Sequence, residues 1–400
     1  MNRRAPPKRV LLAYECGSGL GHLTRLASIA RRLRAHDIET VLASFRLDDA
    51  EMFADAFDRI LQAPVWPLHF TAGRVVLPQT GPSFATALAN LGFCDPRHVT
   101  INQRTWSAMF EAWKPDVVVG DYAPGAMLAA LGRCASMQVG TPFSTPALDG
   151  DRFPALVQGQ SVDGALEQQI LAAIQASCRG LGRPAPAGLA VLMGDDSLPM
   201  GFSEFDPYRA CRKEPLLLPD MLSPRLPQRL PGSVVYAYLP EWMQHNDIVM
   251  ATLCALKLPV RLFMPNIERN LALDLQNRGV IAVENPFSIE ELQASASVFL
   301  HHGGFGSCHI GLMAGVPQIA LEADMEKTVN GHAIAAFKVG QSLNYHRITL
   351  PKLRDAIHAA AGDGLLQERA ARTAGELGDR LRGPHPHDVV VQRVVERVAV

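Results

Sequence analysis

A short apolar run, Val298–Leu300, leads into His301-His302-Gly303-Gly304-Phe305-Gly306-Ser307, and a helix begins near there. Apolar runs of this kind suit a strand buried on both faces of a parallel sheet. In an open α/β sheet, ligands bind beyond the carboxyl ends of the strands. Glycines at that place let backbone N–H groups approach a diphosphate, and the following helix adds its positive N-terminal end. Ser307 is a candidate to cap the helix or to donate to a phosphate oxygen. His302 is a candidate donor to the same anion, given a suitable ring orientation. Gly-Gly alone would read as a tight turn, but strand, His-His-Gly-Gly, Ser and helix together point to a bound diphosphate.

A related arrangement opens the chain. Val10–Tyr14 reads as a buried strand, followed by Glu15-Cys16-Gly17-Ser18-Gly19-Leu20-Gly21-His22. A helix is expected from His22 to Ala35, with Leu23, Leu26, Ile29, Ala30 and Leu33 on one face. Thr40–Ala43 and Asp116–Gly120 are further strands, and Gly125–Leu131 is a helix of small residues. A dinucleotide fingerprint would need a third glycine where His22 stands and an acid where Ser44 and Phe45 stand, so a nicotinamide dehydrogenase is disfavoured.

From Lys213 to Gly232 the alternation stops. Pro215, Pro219, Pro224, Pro227 and Pro231 cannot sustain a helix or a central strand. A second series follows, with strands expected at Val234–Tyr238, Val260–Phe263, Val280–Val283, Val298–Leu300 and Gln318–Leu321. The expected division is an N-terminal Rossmann-like domain over 1–212, a linker over 213–232 and a C-terminal Rossmann-like domain over 233–385. The amphipathic segment 386–400 is expected to cross back to the first domain. A length of 400 residues suits two such α/β domains. No internal repeat is detectable.

The formal net charge of −1 argues against a bulk attraction to nucleic acid. The basic opening, MNRRAPPKRV, reads as a frayed tail or as a weak contact with an anionic membrane surface, so membrane contact is peripheral at most. The seven cysteines are scattered without metal or redox spacing, as expected of a reduced, cytoplasmic protein.

The block His301–Gln318, HHGGFGSCHIGLMAGVPQ, with Asn330 beyond it, resembles the donor-binding region of GT-B glycosyltransferases. The nearest likeness is to bacterial natural-product enzymes and the wider UDP-glycosyltransferase family. It is strong over about residues 280–345 and weaker over the rest. The resemblance implies an α/β GT-B fold, with two doubly wound domains facing across a cleft. It implies that His302, Gly303, Gly304, Gly306 and Ser307 hold the diphosphate and that Val283, Pro286 and Phe287 lie on the base side. Glu326 and Lys327 stand where relatives commonly carry Asp-Gln against the sugar; they are read either as sugar contacts or as a solvated acid–base pair at a helix start. Ile310 stands where many UDP-sugar members carry a Glu that holds both ribose hydroxyls, so UDP and dTDP both remain donor candidates.

On the acceptor side, the resemblance places a general base at His22, with Gly19 and Gly21 in the adjoining glycine loop. A base is needed because an alcohol is a weak nucleophile at neutral pH. Asp121, at the same strand rim, is the carboxylate expected to orient and stabilise the imidazolium. Arg25 stands where many relatives carry proline, and is expected either to face an anion or to lie on the helix surface. Trp66–Phe93 and Ser144–Phe205 are expected to hold the acceptor-side loops; Trp66, Leu68, Phe70, Phe84, Phe143 and Phe153 suit a hydrophobic acceptor or a core. The expected function is transfer of a sugar, with inversion, from a nucleotide-diphosphate donor to a small-molecule, glycan or lipid acceptor. Neither metal nor resident cofactor is expected. A nucleotide-sugar epimerase and a non-catalytic nucleotide-sugar-binding protein are the competing readings.

Overall fold

Unbroken runs such as VLLAY and VVVGD bury both faces of a strand, which requires helices on both sides of the sheet. The computed structural model describes residues 7–17, 19–66, 81–157, 159–162, 164–220 and 232–399. Ser18, most of the opening tail, Leu68, Phe70 and most of the 213–232 segment lie outside the described residues. By contact the chain divides into two units, Met1–Asp220 with Gly383–Val400, and Met221–Arg382.

The first unit carries the strands β1 (Lys8–Tyr14), β2 (Ile38–Ser44), β3 (Arg59–Gln62), β4 (Val117–Asp121), β5 (Ala135–Gly140) and β6 (Asp196–Pro199). They form one parallel sheet in the order β3-β2-β1-β4-β5-β6. The second unit carries β7 (Val234–Tyr238), β8 (Val260–Phe263), β9 (Val280–Val283), β10 (Ala296–His301), β11 (Gln318–Glu322) and β12 (Gly340–Asn344). These are also all parallel, in the order β12-β11-β10-β7-β8-β9. Counted from its own first strand, the second sheet repeats the order of the first. This is the doubly wound arrangement, achieved twice without a detectable sequence repeat.

That order fixes where ligands can bind. The strand order reverses between β1 and β4 in one sheet and between β7 and β10 in the other. At such a switch point the connections leave in opposite directions and open a crevice at the carboxyl ends. Register sets the rim residues: Tyr14 pairs with Asp121, and His301 pairs with Tyr238. Asp121 is therefore the last residue of β4, whereas the sequence reading ended that strand at Gly120. Likewise β10 runs on through His301.

The helix Gly21–Leu33 turns Leu23, Leu26, Ile29 and Leu33 into the first core. The final helix, Pro386–Val398, packs on it and adds Val390, Val391, Val394 and Val398 to the same cluster. In the second unit, the helix Phe305–Ala314 follows β10, and the helix Met325–Phe337 follows β11. No helix among the described residues is long and apolar enough to cross a membrane.

Candidate active site

At the rim of the first sheet, His22 is the second residue of the Gly21–Leu33 helix. Its Nδ1 lies 2.7 Å from Asp121 Oδ1. Asp121 is fully buried, and burial alone would raise the pKa of its carboxyl; His22 and Arg25 outweigh that and hold it below the usual range. An ionised carboxylate only accepts, so the proton of the neutral imidazole sits on Nδ1, and Nε2 carries the lone pair. The ring stacks on Tyr14 at 4.9 Å between centroids and 20° between planes, which fixes its orientation. A Cβ on Gly17 would lie 2.8 Å from His22 Nε2, and Gly17 has φ +113°, so this glycine is required on both counts. Gly19 has φ +82° but its missing Cβ faces open space, as does that of Gly21. The glycine that borders the His22 ring is thus Gly17, which the sequence reading had left unassigned among several.

Arg25 does not lie on the helix surface: it is buried, and its guanidinium is taken up by carboxylates of the chain itself. Its Nη1 donates to Asp121 Oδ2 at 2.5 Å, and its Nε donates to Asp220 Oδ2 at 2.8 Å. Burial would weaken the guanidinium's hold on its proton, but Asp220 and Asp121 reverse this and keep it charged. Beneath the rim lies Glu15, also buried, which accepts from Asn102 Nδ2, Trp106 Nε1 and the Gly125 backbone N–H. Burial raises its pKa despite these donors. Of the proposed acceptor-side aromatics, Trp66, Phe84 and Phe153 are buried in one cluster with Phe93 and Tyr122, so they are core residues.

The second unit's rim is built by His301. Gly303 N donates to His301 Nδ1 at 3.0 Å, so the ring proton is on Nε2, 2.9 Å from Gln318 Oε1. Burial lowers the pKa of His301 to about 4, which keeps the ring neutral. Asn330 Nδ2 donates to the Gly303 carbonyl at 2.9 Å. Gly303 itself has φ +78°, and Lys327 Cβ closes over it, 3.1 Å from where a Cβ would be. Three side chains thereby fix one glycine, and none of them was assigned this work from sequence.

His302 is held differently. Its Nε2 lies 2.5 Å from where a Cβ on Gly304 would stand, so the ring crosses the open face of that glycine. Among the described residues its buried Nδ1 has no hydrogen-bond partner. Burial, then the charge of Lys327 and the ring of His301, lower its pKa to about 3, with the Tyr238 backbone opposing them. A neutral ring retains one N–H donor, which is what an incoming anion can use. Gly304 is the N-cap of the Phe305–Ala314 helix, so Gly306 and Ser307 are its second and third residues, and Ser307 is not the cap.

The remaining assignments are mixed. Lys327 is buried with Nζ 2.7 Å from Glu326 Oε2 and 3.7 Å from Asp324 Oδ2, so this is no solvated pair. Asp324 caps the Met325–Phe337 helix by accepting from Lys327 N. Phe287 is buried edge-on against Tyr236, at 4.7 Å and 88°, in a cluster with Phe263, Leu292 and Phe299. It is therefore core, while Pro286 is exposed, and Val283 and Ile310 pack at the edge of the same cluster.

Residues 278–396 match the family model described as erythromycin biosynthesis protein CIII-like, C-terminal domain. No curated protein matches the chain. Among solved structures, CalG4, the calicheamicin glycosyltransferase, superposes with a TM-score of 0.70 at 17% identity, covering 99% of each chain. The glycosyltransferase VinC in complex with dTDP gives 0.64 at 16% identity, covering 97% of this chain and 100% of that one. The glycosyltransferase SnogD from Streptomyces nogalater gives 0.58 at 17% identity, covering 98% and 99%. The chain has the GT-B fold, and the resemblance to natural-product glycosyltransferases read from its glycine loop is met by the family model over 278–396.

Proposed function

We propose that this protein is a glycosyltransferase that moves a sugar from a dTDP- or UDP-linked donor to an acceptor hydroxyl with inversion. The observation that carries the reading is the His22 Nδ1–Asp121 contact at 2.7 Å, which in a neutral ring puts the proton on Nδ1 and the lone pair on Nε2 at the sheet's switch point. In the proposed step the acceptor oxygen forms a bond to the anomeric carbon as its proton passes to His22 Nε2. The bond from that carbon to the diphosphate breaks, and its electron pair leaves on the phosphate oxygen. The growing imidazolium is stabilised by Asp121, as in a triad. The growing diphosphate charge falls to the second unit, where the His302 N–H, the Gly303–Ser307 loop and the start of the Phe305–Ala314 helix are arranged before the reaction begins. The proposal assigns no metal and no resident cofactor.

Ile310 offers no group to a ribose hydroxyl, and it packs against apolar side chains. The donor's nucleoside is therefore tested first, by thermal shift with dTDP, UDP and GDP, and the preferred sugar nucleotide is then supplied with an acceptor panel. His22→Ala is expected to abolish product while nucleotide affinity stays within error. Unchanged turnover in that variant would remove His22 from the mechanism, and nucleotide binding without transfer by the wild-type chain would favour a binding protein instead.

A further inference from the structure

Behind His22 runs a chain of alternating charges, all within the first unit. His22 Nδ1 meets Asp121 Oδ1, Asp121 Oδ2 accepts from Arg25 Nη1, and Arg25 Nε donates to Asp220 Oδ2. Next, His387 Nε2 lies 3.7 Å from Asp220 Oδ2, and His387 Nδ1 is 2.8 Å from Ser28 Oγ. Ser28 Oγ in turn accepts from Arg32. His387 belongs to the Pro386–Val398 helix, so the chain's last helix closes the series that its first helix opens.

We infer that Asp220 and Arg25 are positioning residues for the base, with Arg25 clamping Asp121 and Asp220 holding Arg25 in place. This rests on the reading of His22 as the base. The physical reason lies in charge and fork geometry. Arg25 alone would cancel the charge with which Asp121 supports an imidazolium. Asp220 restores a net negative charge to the group formed by Asp121, Arg25 and Asp220. A guanidinium held at two edges by two carboxylates also has one orientation, which a point-charge ammonium would lack. The side chains of Arg25 and Asp121 are 4% and 0% exposed, so solvent screens this arrangement little. Asp220 and His387 are also mostly covered, at 12% and 5%.

The other groups that bear on this pair are few. Tyr14 and Tyr122 flank the ring, Cys16 lies beside Tyr14, and Arg46 and Asp49 act on Tyr14 from the β2 side. At the far end, the rings of His385 and His387 meet at 4.7 Å between centroids, and Arg32, Asp388 and Asp220 act on His385. None of these bridges two carboxylates as Arg25 does among the described residues.

Asp220→Asn is the informative substitution, because removing Arg25 would strand two buried carboxylates and can unfold the unit. Asp220→Asn is expected to lower kcat about tenfold with the donor KM unchanged, since the base is displaced and the nucleotide site is not. Asp220→Glu should recover part of the loss, and Arg25→Lys should not. A second readout needs no turnover: in the folded wild type the His22 Nδ1 proton is expected to give a downfield NMR resonance from its bond to Asp121. In Asp220→Asn that resonance should shift upfield or broaden while the spectrum remains that of a folded chain. An unchanged resonance with unchanged kcat overturns the proposal. If wild-type protein shows no transfer at all, the functional reading fails, and the resonance still decides whether Asp220 positions the pair.

Discussion

Gly17 lies against the Nε2 edge of His22: a Cβ placed on it would stand 2.8 Å from Nε2. The same glycine sits at φ +113°, a conformation that L side chains rarely adopt. Both facts give the substitution Gly17→Ala a direction. Backbone strain should cost about 1–3 kcal/mol of stability. The added methyl would also occupy the approach to the lone pair, so kcat should fall by about a hundredfold or more, the scale of a lost general base. Nucleotide affinity, measured by calorimetry, should not change, because the second unit's loop is untouched. A Gly17→Ala enzyme with near-normal kcat would show that the acceptor hydroxyl does not approach Nε2.

Gly304 gives a cleaner separation of geometry from strain. Its φ of −63° and ψ of 146° are open to any residue, so alanine costs the backbone nothing. Yet its Cβ would stand 2.5 Å from His302 Nε2 and must push the ring aside. Gly304→Ala should therefore leave the melting temperature nearly unchanged and weaken dTDP or UDP binding about tenfold. His302→Ala should do the same. Because both act through one ring, the double variant should be no worse than the poorer single one, a strong departure from additivity. Additive losses would mean that the ring does not hold the nucleotide.

What the sequence disclosed, and what it hid, follows from distance along the chain. The glycine loop was legible because strand, loop and helix are contiguous, and the pairing of His22 with Asp121 because one follows and the other ends a visible apolar strand. Arg25 was not: its partners lie 96 and 195 residues away, and a helical arginine gives no local sign of burial. His301 and His302 are adjacent, and only the hydrogen bonds to Gly303 and Gln318 distinguish the scaffolding ring from the one left to bind. Strands β3, β5, β6 and β12 went unmarked because polar residues such as Arg59, Gln138, Asp196 and Gln341 interrupt their apolar pattern. The packing of Phe287 on Tyr236 was not legible either, because an aromatic after a strand looks the same whether it faces a ligand or the core.

The neutral rings of His301, which ends β10, and of His302 beside it should make the protein sensitive to acid. Unfolded, both take up protons as pH falls through about 6.5. Folded, His301 does so only at about 4 and His302 only at about 3. Between those limits the unfolded state binds more protons, so stability falls as pH falls, by up to about 1.4 kcal/mol per pH unit for each ring. His302 is partly exposed, so its share is the smaller. The support that Asp121 gains from its low pKa is lost only further down, below the ordinary carboxylate range. Calorimetric melting of the full chain from pH 7 to pH 5 should show a steady decline, and His302→Gln should flatten it. A melting temperature flat across that window would mean that the rings titrate in the folded chain.

Lys327 offers a last test of how the loop carries charge. Its Cβ packs on Gly303, its backbone N–H is held by Asp324, and its ammonium is tied to Glu326 and Asp324. Burial opposes the charge, but the two carboxylates hold it in place and raise its pKa. Lys327→Gln keeps the methylene over Gly303 and the helix cap, so the loop's shape should survive. It removes an ammonium that, among the described residues, offsets two carboxylates beside the loop proposed to hold the diphosphate, so the repulsion that remains should weaken nucleotide binding tenfold or more, about 1.4 kcal/mol. That loss should shrink as salt is raised, if the effect is electrostatic. Free nucleoside, which lacks the diphosphate, should bind the variant and the wild type equally. Equal loss for nucleoside and nucleotide would instead assign Lys327 to the shape of the loop and remove it from charge recognition.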